Sequence, residues 1–335
     1  MRILAVTNMF PTEKSPQFGI FVDEQANSIR ALGHDVDILF FNAREGRLRH
    51  KAYVLGFPRL WRTLARNRYD VIHAHYVFSG MIARAQRSAP LVLTHHGPEL
   101  LDPWQGPICR ITRSWADHTI VVAPWMVPEL GLSDVHVVPC GVDFALFKPV
   151  ERQEARTSLG LDTEKRYVLF AGNTWDSRKR FPLVEEAVRI LKRDAADVEL
   201  LTVCGQPHDR IPMFMNAADV FAMASTSEGS AQVVKEAMAC NLPVVATDAG
   251  DNWDLIAGTE GCFRTGADPS EIAARLADAI SPPRRTDGRT NVERFSLDAI
   301  ARSVVAVYEK AVMEWKCGKT RSDYPMEMRA GAAHE

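Results

Sequence analysis

Two glutamates separated by seven residues, Glu228 and Glu236, lie in the run A-S-T-S-E-G-S-A-Q-V-V-K-E-A-M-A-C-N-L-P-V-V-A-T-D-A-G from Ala224 to Gly250. What they can do depends on what carries them. Val220 to Ala224 is an apolar stretch of strand length, and Glu228-Gly229-Ser230 is a polar turn. Good helix formers run from Ala231 to Cys240, and an Asn-Leu-Pro stop precedes a second apolar strand, Val244-Val245-Ala246. Ser230 is the expected N-cap, so backbone amides among Gly229, Ser230, Ala231, Gln232 and Val233 would face an anion. A phosphate held there would have Glu228 on one side and Glu236 on the other, each able to accept hydrogen bonds from hydroxyl groups. Two solvated helix glutamates would explain Glu236, but not the Glu-Gly-Ser turn.

With strand, turn, helix and Pro-Val-Val strand in place, the pattern S-E-G-S-x5-E-A-M-A-C-x-L-P-V-V-A-T resembles that of the retaining GT-B glycosyltransferases of family 4 (glycosyl transferases group 1). The resemblance covers about residues 1–316. It implies two Rossmann-like α/β domains facing each other across a cleft. Residues 1–150 would bind the acceptor and 151–295 the nucleotide-sugar; 296–316 would be a helix crossing back to the first domain, and 317–335 a frayed tail. The implied reaction moves a hexosyl group from a UDP- or GDP-sugar to a saccharide or lipid-linked saccharide, with retention, in cell-surface glycan synthesis. No cofactor and no metal are implied. By the same resemblance Glu236 holds the ribose hydroxyls and Glu228 the hexose, while the helix start and Lys179 stabilise the departing diphosphate.

Composition sets outer limits. A chain of 335 residues is long enough for two domains, and 46% hydrophobic with 24% charged residues is a globular balance. A net charge of −2 gives no general attraction to nucleic acid. The six cysteines (Cys109, Cys140, Cys204, Cys240, Cys262, Cys317) form no C-x2-C pair, so reduced thiols are expected rather than zinc or disulfides. No signal-peptide or membrane-spanning run is present, which reads as cytoplasmic.

In the first half, Ile3 to Val6, a helix from about Phe21 to Leu32, and Val36 to Phe41 give the strand–helix–strand rhythm of a Rossmann-like unit. Gly19, in the first loop, is either a turn glycine or, as the resemblance implies, part of a loop facing the donor phosphates. Two apolar runs end in histidines: Tyr69 to His75, and Pro90 to His96 before Gly97. Such strand ends open onto the ligand crevice. The resemblance places His96 beside the transferred sugar and gives His95 less weight. Asp35-Val36-Asp37 spells D-x-D but sits at a strand start, where it makes no metal loop. No G-x-G occurs anywhere, so the dinucleotide fingerprint is missing. Cys140 replaces the asparagine of the family's P-N-G-V-D turn.

Residues 144–166 read as an interdomain linker. Beyond Tyr167 to Ala171, the loop 172–180 carries Arg178, Lys179 and Arg180 before a helix from Pro182 to Arg193. The resemblance puts Lys179 on the donor diphosphate. Asn173 stands where the family has arginine, so Arg178 or Arg180 would supply the second charge. Cys204 to His208 is the turn expected near the nucleobase. Ile211 to Ala217 leads straight to Asp219, an abbreviated lobe compared with the family pattern. A stretch from Arg44 to Arg68 holds eight basic residues against one acid, Glu45. It is expected to be helical from Pro58, with Leu60, Trp61, Leu64 and Ala65 on one apolar face, and to offer an anionic membrane a docking surface. The competing readings are a non-catalytic nucleotide-sugar or glycan-binding subunit, a GT-B epimerase, and a phosphorylase, for which no pyridoxal-phosphate lysine signature is seen.

Overall fold

The computed structural model describes residues 1–45, 51–282 and 284–318. The runs of Val, Ile and Leu without polar alternation form strands covered on both faces, and parallel sheets provide that cover. The chain divides into two compact units, one of Met1–Thr12, Phe18–Gly141 and Leu297 onward, the other of Glu13–Gln17 and Val142–Ser296.

The first unit runs β1 (Arg2–Thr7), α1 (Ile20–Ala31), β2 (Asp35–Phe40), α2 (Ala52–Arg66), β3 (Val71–His75), α3 (Val77–Ala83), β4 (Leu91–His95), α4 (Pro98–Leu101), α5 (Gln105–Thr112), β5 (His118–Val121), α6 (Met126–Leu130) and β6 (His136–Val137). Its strands pair in parallel in the order β2-β1-β3-β4-β5-β6. The order reverses direction between β1 and β3, the position where α/β sheets open a crevice at their carboxyl edge.

The second unit continues with α7 (Arg152–Leu159), β7 (Arg166–Ala171), α8 (Phe181–Leu191), β8 (Val198–Val203), α9 (Ile211–Ala217), β9 (Val220–Met223), α10 (Gln232–Ala239), β10 (Val244–Thr247), α11 (Asn252–Ile256), β11 (Phe263–Thr265), α12 (Pro269–Ile280) and α13 (Gly288–Val292). Its parallel order is β11-β10-β9-β7-β8. One apolar core packs α9, α10 and α11 on the sheet, and a second packs α8 and α12. Each fully buried Leu, Ile or Val in them contributes roughly 1.5–3 kcal/mol. A last helix, α14 (Leu297–Lys316), belongs to the first unit, where it packs on α1, β3 and β4. Apart from the short excursion Glu13–Gln17, the chain passes between units at Gly141–Val142 and again at Ser296–Leu297. Val142 N–H donates to the Phe295 carbonyl at 2.8 Å and bridges Ser296.

Three expectations need correction. The segment 144–166 is no linker: Phe147 is fully buried in the second unit's core, Phe144 and Leu146 pack beside it, and Arg152 onward is helix. Its apolar F-x-L-F start, not its charged tail, decides its placement. The handover accordingly falls at residue 141 rather than 150. Helix α2 starts at Ala52 and carries Pro58 inside it, and its apolar face is rotated from expectation. Leu60 is buried with Tyr53, Phe57 and Leu64 packed on the core, whereas Trp61 stands 56% exposed and Ala65 is exposed with it. Arg47, Arg49 and the tail from residue 319 lie outside the described residues. No helix among the described residues is long and apolar enough to cross a membrane.

One buried polar chain fixes α14. His73 and His75 alternate onto the same face of β3, their rings 4.1 Å apart. His73 Nδ1 lies 2.6 Å from the Tyr308 hydroxyl on α14, and Nε2 lies 2.7 Å from Thr94 Oγ1 on β4. Burial removes water as an alternative partner, so losing either contact strands a polar group. Tyr308→Phe is expected to cost about 1–3 kcal/mol by leaving the ring nitrogen unsatisfied. Chemical denaturation checks this; an unchanged midpoint would mean the contact is energetically idle.

Candidate functional site

In the first unit, the carboxyl ends of β3 and β4 bring His75 and His96 together, with His75 Nδ1 3.3 Å from His96 Nε2 and the rings stacked. Phe21, at the start of α1, packs on His96 with ring centroids 4.7 Å apart. Gly19 immediately precedes α1 with φ +76°, and a Cβ there would lie 2.3 Å from the Met9 carbonyl carbon. Both facts demand glycine and bring the β1–α1 loop close to its own backbone. Glu99 Oε1 accepts from the His96 amide at 2.7 Å and sits 3.6 Å from His95 Nδ1. His95 is itself completely buried.

Burial dominates the electrostatics here. It pushes His96 down to about 4, although Glu99 pulls the other way and the residue is only half-buried. It takes His73 down to about 3 and His75 well below the ordinary histidine range. For Glu99, burial is outweighed by the His95 and His96 imidazoles and the His96 amide, which hold its carboxyl below normal. At neutral pH the site therefore presents a neutral imidazole at His96 backed by a carboxylate.

In the second unit, the loops following β7, β8, β9 and β10 converge at the carboxyl edge of the sheet. The β7 loop ends in a tight turn, Ser177–Lys179, capped by the Asp176 carboxylate. From it Lys179 Nζ reaches Glu228 Oε1 at 2.5 Å, both side chains largely shielded. Thr226 N–H donates to the Arg178 carbonyl at 2.8 Å, tying the two loops together. Gly250, at φ +65°, backs this arrangement: a Cβ there would lie 2.5 Å from the Glu228 carbonyl oxygen.

The helix start differs from expectation. Helix α10 begins at Gln232 with Ala231 in the cap position and no side-chain cap. Ser230 instead donates its hydroxyl to Asp251 Oδ2 at 2.6 Å, and the Ala231 amide donates to Asp251 Oδ1 at 3.1 Å. Burial raises the Asp251 carboxyl, opposed by the Ser230 hydrogen bond and Lys235. Buried Lys235 donates to Ser230 Oγ at 3.1 Å and lies 5.3 Å from the centre of the Phe295 ring. Glu236 points from α10 to His208, with Oε1 3.1 Å from Nε2, and His208 packs on Phe147. Gly229, Gln232 and Val233 complete the turn and first helical residues between the two glutamates.

The basic trio splits into three different environments. Arg178 folds back onto Asp176, its Nη2 2.7 Å from Oδ2. Arg180, at φ +46°, donates to the carbonyls of Ala224 (2.5 Å) and Ser225 (3.1 Å), clamping the end of β9. Lys179 alone of the three meets Glu228. Asp251, Gly250 and the His208–Glu236 contact carry no local sequence signal, because their partners are 21 to 28 residues away in other loops, while Lys235 meets Ser230 five residues back across the helix start.

Sequence comparison finds two matching family models: Glycosyltransferase Family 4 over residues 19–146 and Glycosyl transferases group 1 over residues 194–281. A D-inositol 3-phosphate glycosyltransferase of Mycolicibacterium vanbaalenii is 28% identical over 330 residues, covering 78% of this chain and 72% of that protein. Among solved structures, sucrose-phosphate synthase from Thermosynechococcus elongatus superposes with a TM-score of 0.78 at 20% identity, covering 92% of this chain and 98% of that one. HepE from Anabaena, solved in complex with UDP and glucose, gives 0.71 at 18% identity, covering 92% and 100%. The fold class is GT-B: two Rossmann-like α/β units, the C-terminal helix returning to the first.

The histidine cluster makes stability pH-dependent. His73, His75 and His96 have folded-state pKa values below the unfolded value of about 6.5. The unfolded chain therefore binds more protons as pH falls through 6.5 toward 4, and stability is lost in that window. A Tm that falls steadily from pH 7 to 4, and falls less steeply in His75→Gln, is the expected result; a flat profile would contradict it.

Proposed function

We propose that this chain, which belongs to the family 4 glycosyltransferases, moves a hexosyl group from a nucleoside-diphosphate sugar to an acceptor hydroxyl with retention at the anomeric carbon. The observation that carries the reading is the Lys179–Glu228 pair beside the start of α10, with Glu236 on the same helix. A diphosphate arriving there would take Lys179 from Glu228 and lie against the helix amides. The freed Glu228 carboxylate would accept hydrogen bonds from the hexose, and Glu236, oriented by His208, from the ribose. Charge develops on the departing diphosphate, where Lys179 and the helix start stabilise it without a required metal. The leaving phosphate accepts the proton of the attacking hydroxyl in a front-face route. By the family resemblance, the neutral His96 of the first unit is proposed as a hydrogen-bonding group for a sugar hydroxyl.

The acceptor proposed is a phosphorylated sugar or a lipid-linked saccharide. The first choice draws on the phosphate-bearing compounds in the names of the M. vanbaalenii relative and the T. elongatus structure, and UDP on the HepE complex. Glu228→Gln and Glu236→Gln are each expected to reduce kcat/KM at least 100-fold without lowering Tm. Lys179→Ala should weaken nucleoside diphosphate binding by about 1.5–3 kcal/mol and leave nucleoside binding unchanged. NMR of the product should show the donor's anomeric configuration, with turnover persisting in chelator. Inversion would remove the retaining mechanism, a requirement for magnesium or manganese would remove metal independence, and donor binding without turnover on any acceptor would favour a binding subunit.

Peripheral membrane contact is proposed through α2. Its outward side carries Val54, 70% exposed, and Trp61 among exposed Arg59, Arg62 and Arg66. Apolar side chains flanked by arginines suit an anionic bilayer surface, each charge contributing about 1 kcal/mol. Sedimentation with anionic liposomes should show binding that salt weakens and that Arg59, Arg62 and Arg66 changed to Glu abolish. No binding at low salt would refute it.

A further inference from the structure

The second unit holds another cavity, of about 650 Å³, lined in part by Arg152, Gln153, Arg156, Asn241 and Arg285. It lies at the opposite edge of the sheet from Lys179 and Glu228. Asp219 directly precedes β9 and Asn241 lies just before β10, whereas the donor loops follow those strands. Four residues of β9 put about 13 Å of strand between the two edges.

The charges at this edge do not balance locally. Asp219 is the buried carboxylate, and it receives Arg152 on Oδ1, and Arg156 (2.7 Å) and the Tyr167 amide (2.6 Å) on Oδ2. Arg156 is held at all three of its guanidinium nitrogens, since it also donates to the carbonyls of Ala217 at 3.0 Å and Thr163 at 2.8 Å. Arg285 meets the main chain at the end of α9, donating to the Asn216 carbonyl and, at 3.5 Å, to that of Met215. Among the described residues its hydrogen bonds include no carboxylate. A guanidinium has five N–H donors, so Arg285 and Arg152 retain several beyond these contacts. Asn241 has its side-chain oxygen occupied by the Arg289 amide at 2.9 Å, which leaves its NH2 group as a donor. The one acid in the lining, Glu151, is exposed. Burial and the proximity of Arg152 and Arg156 push Arg285 down to about 10, as expected for a crowded cation short of counter-charge.

We infer that this cavity binds a phosphate group, free or esterified to a sugar, through the Arg152 and Arg285 guanidinium groups and the Asn241 amide, at a site separate from the donor site. Guanidinium forks match phosphate oxygens bidentately. The volume exceeds a phosphate ion and admits a sugar-sized remainder. The lining has no aromatic side chain to stack a nucleobase, which separates this ligand from the donor. The inference does not depend on the transfer reaction proposed above.

Calorimetry and thermal shift on the full chain test it, with inorganic phosphate and glucose 6-phosphate as separate probes, each with and without saturating UDP. Saturable binding that persists in UDP, falls at least tenfold in Arg285→Gln and leaves UDP affinity unchanged is the expected result. Because Arg285 also holds the end of α9, Gln153→Glu serves as the second variant; it places a carboxylate at the cavity from an exposed helix position and should weaken phosphate equally. Tighter binding of the sugar phosphate assigns an esterified ligand, and equal binding assigns the free ion. Absence of saturable binding by both probes, displacement by UDP, or undiminished binding in Gln153→Glu would overturn the assignment.

Discussion

Parallel strands cannot be joined by tight turns, so each pair in both sheets requires a crossover that returns the chain to the same starting edge. The consequence is that every loop leaving a strand emerges at one edge and every loop entering at the other. Lys179, His208, Glu228 and Asp251 come from four different loops, yet they meet because β7, β8, β9 and β10 all point the same way. The same constraint collects His75, His96 and the Gly19 loop in the first unit. Convergence of the candidate site is thus a property of strand direction before it is a property of any side chain.

Around that edge, polar groups are held by one another. Asp251 accepts from Ser230 and Ala231, Lys235 donates to Ser230 and lies near an aromatic face, and Glu236 contacts His208. A site organised this way has its acceptors and donors aimed before any ligand arrives, which reduces the ordering that binding must impose. In the first unit desolvation does comparable work by keeping the histidines neutral.

Much of this was legible in the sequence. Elements whose signal is local and strong came through closely: the strand read at Val244 to Ala246 is β10 (Val244–Thr247), and the helix read from Pro182 to Arg193 is α8 (Phe181–Leu191). The turn between Glu228 and Glu236 was equally plain. Ser230 was misplaced as a cap because its hydroxyl meets Asp251, 21 residues further on, and a partner that distant leaves no mark on a local pattern. Segment 144–166 looked like a linker because its charged majority obscured Phe144 and Phe147, which the core takes up. Trp61 looked buried by periodicity, but Pro58 within α2 and the choice of Leu60 as the buried residue turn it outward. The D-x-D at Asp35 to Asp37 finds an ordinary explanation: Asp37 pairs with Arg2 and accepts from Tyr69.

The path of the chain between the units has a consequence for how the protein is made. The first unit's sheet is encoded almost entirely before residue 142, but its histidine strand is completed by Tyr308, 235 residues after His73. A ribosome releases the whole second unit before it releases the helix the first one needs. The part synthesised first is therefore the part finished last. Until α14 emerges, β3 and β4 hold a buried-histidine face without its cover, which makes the interval between the two halves of translation the period in which this protein is most open to misassociation.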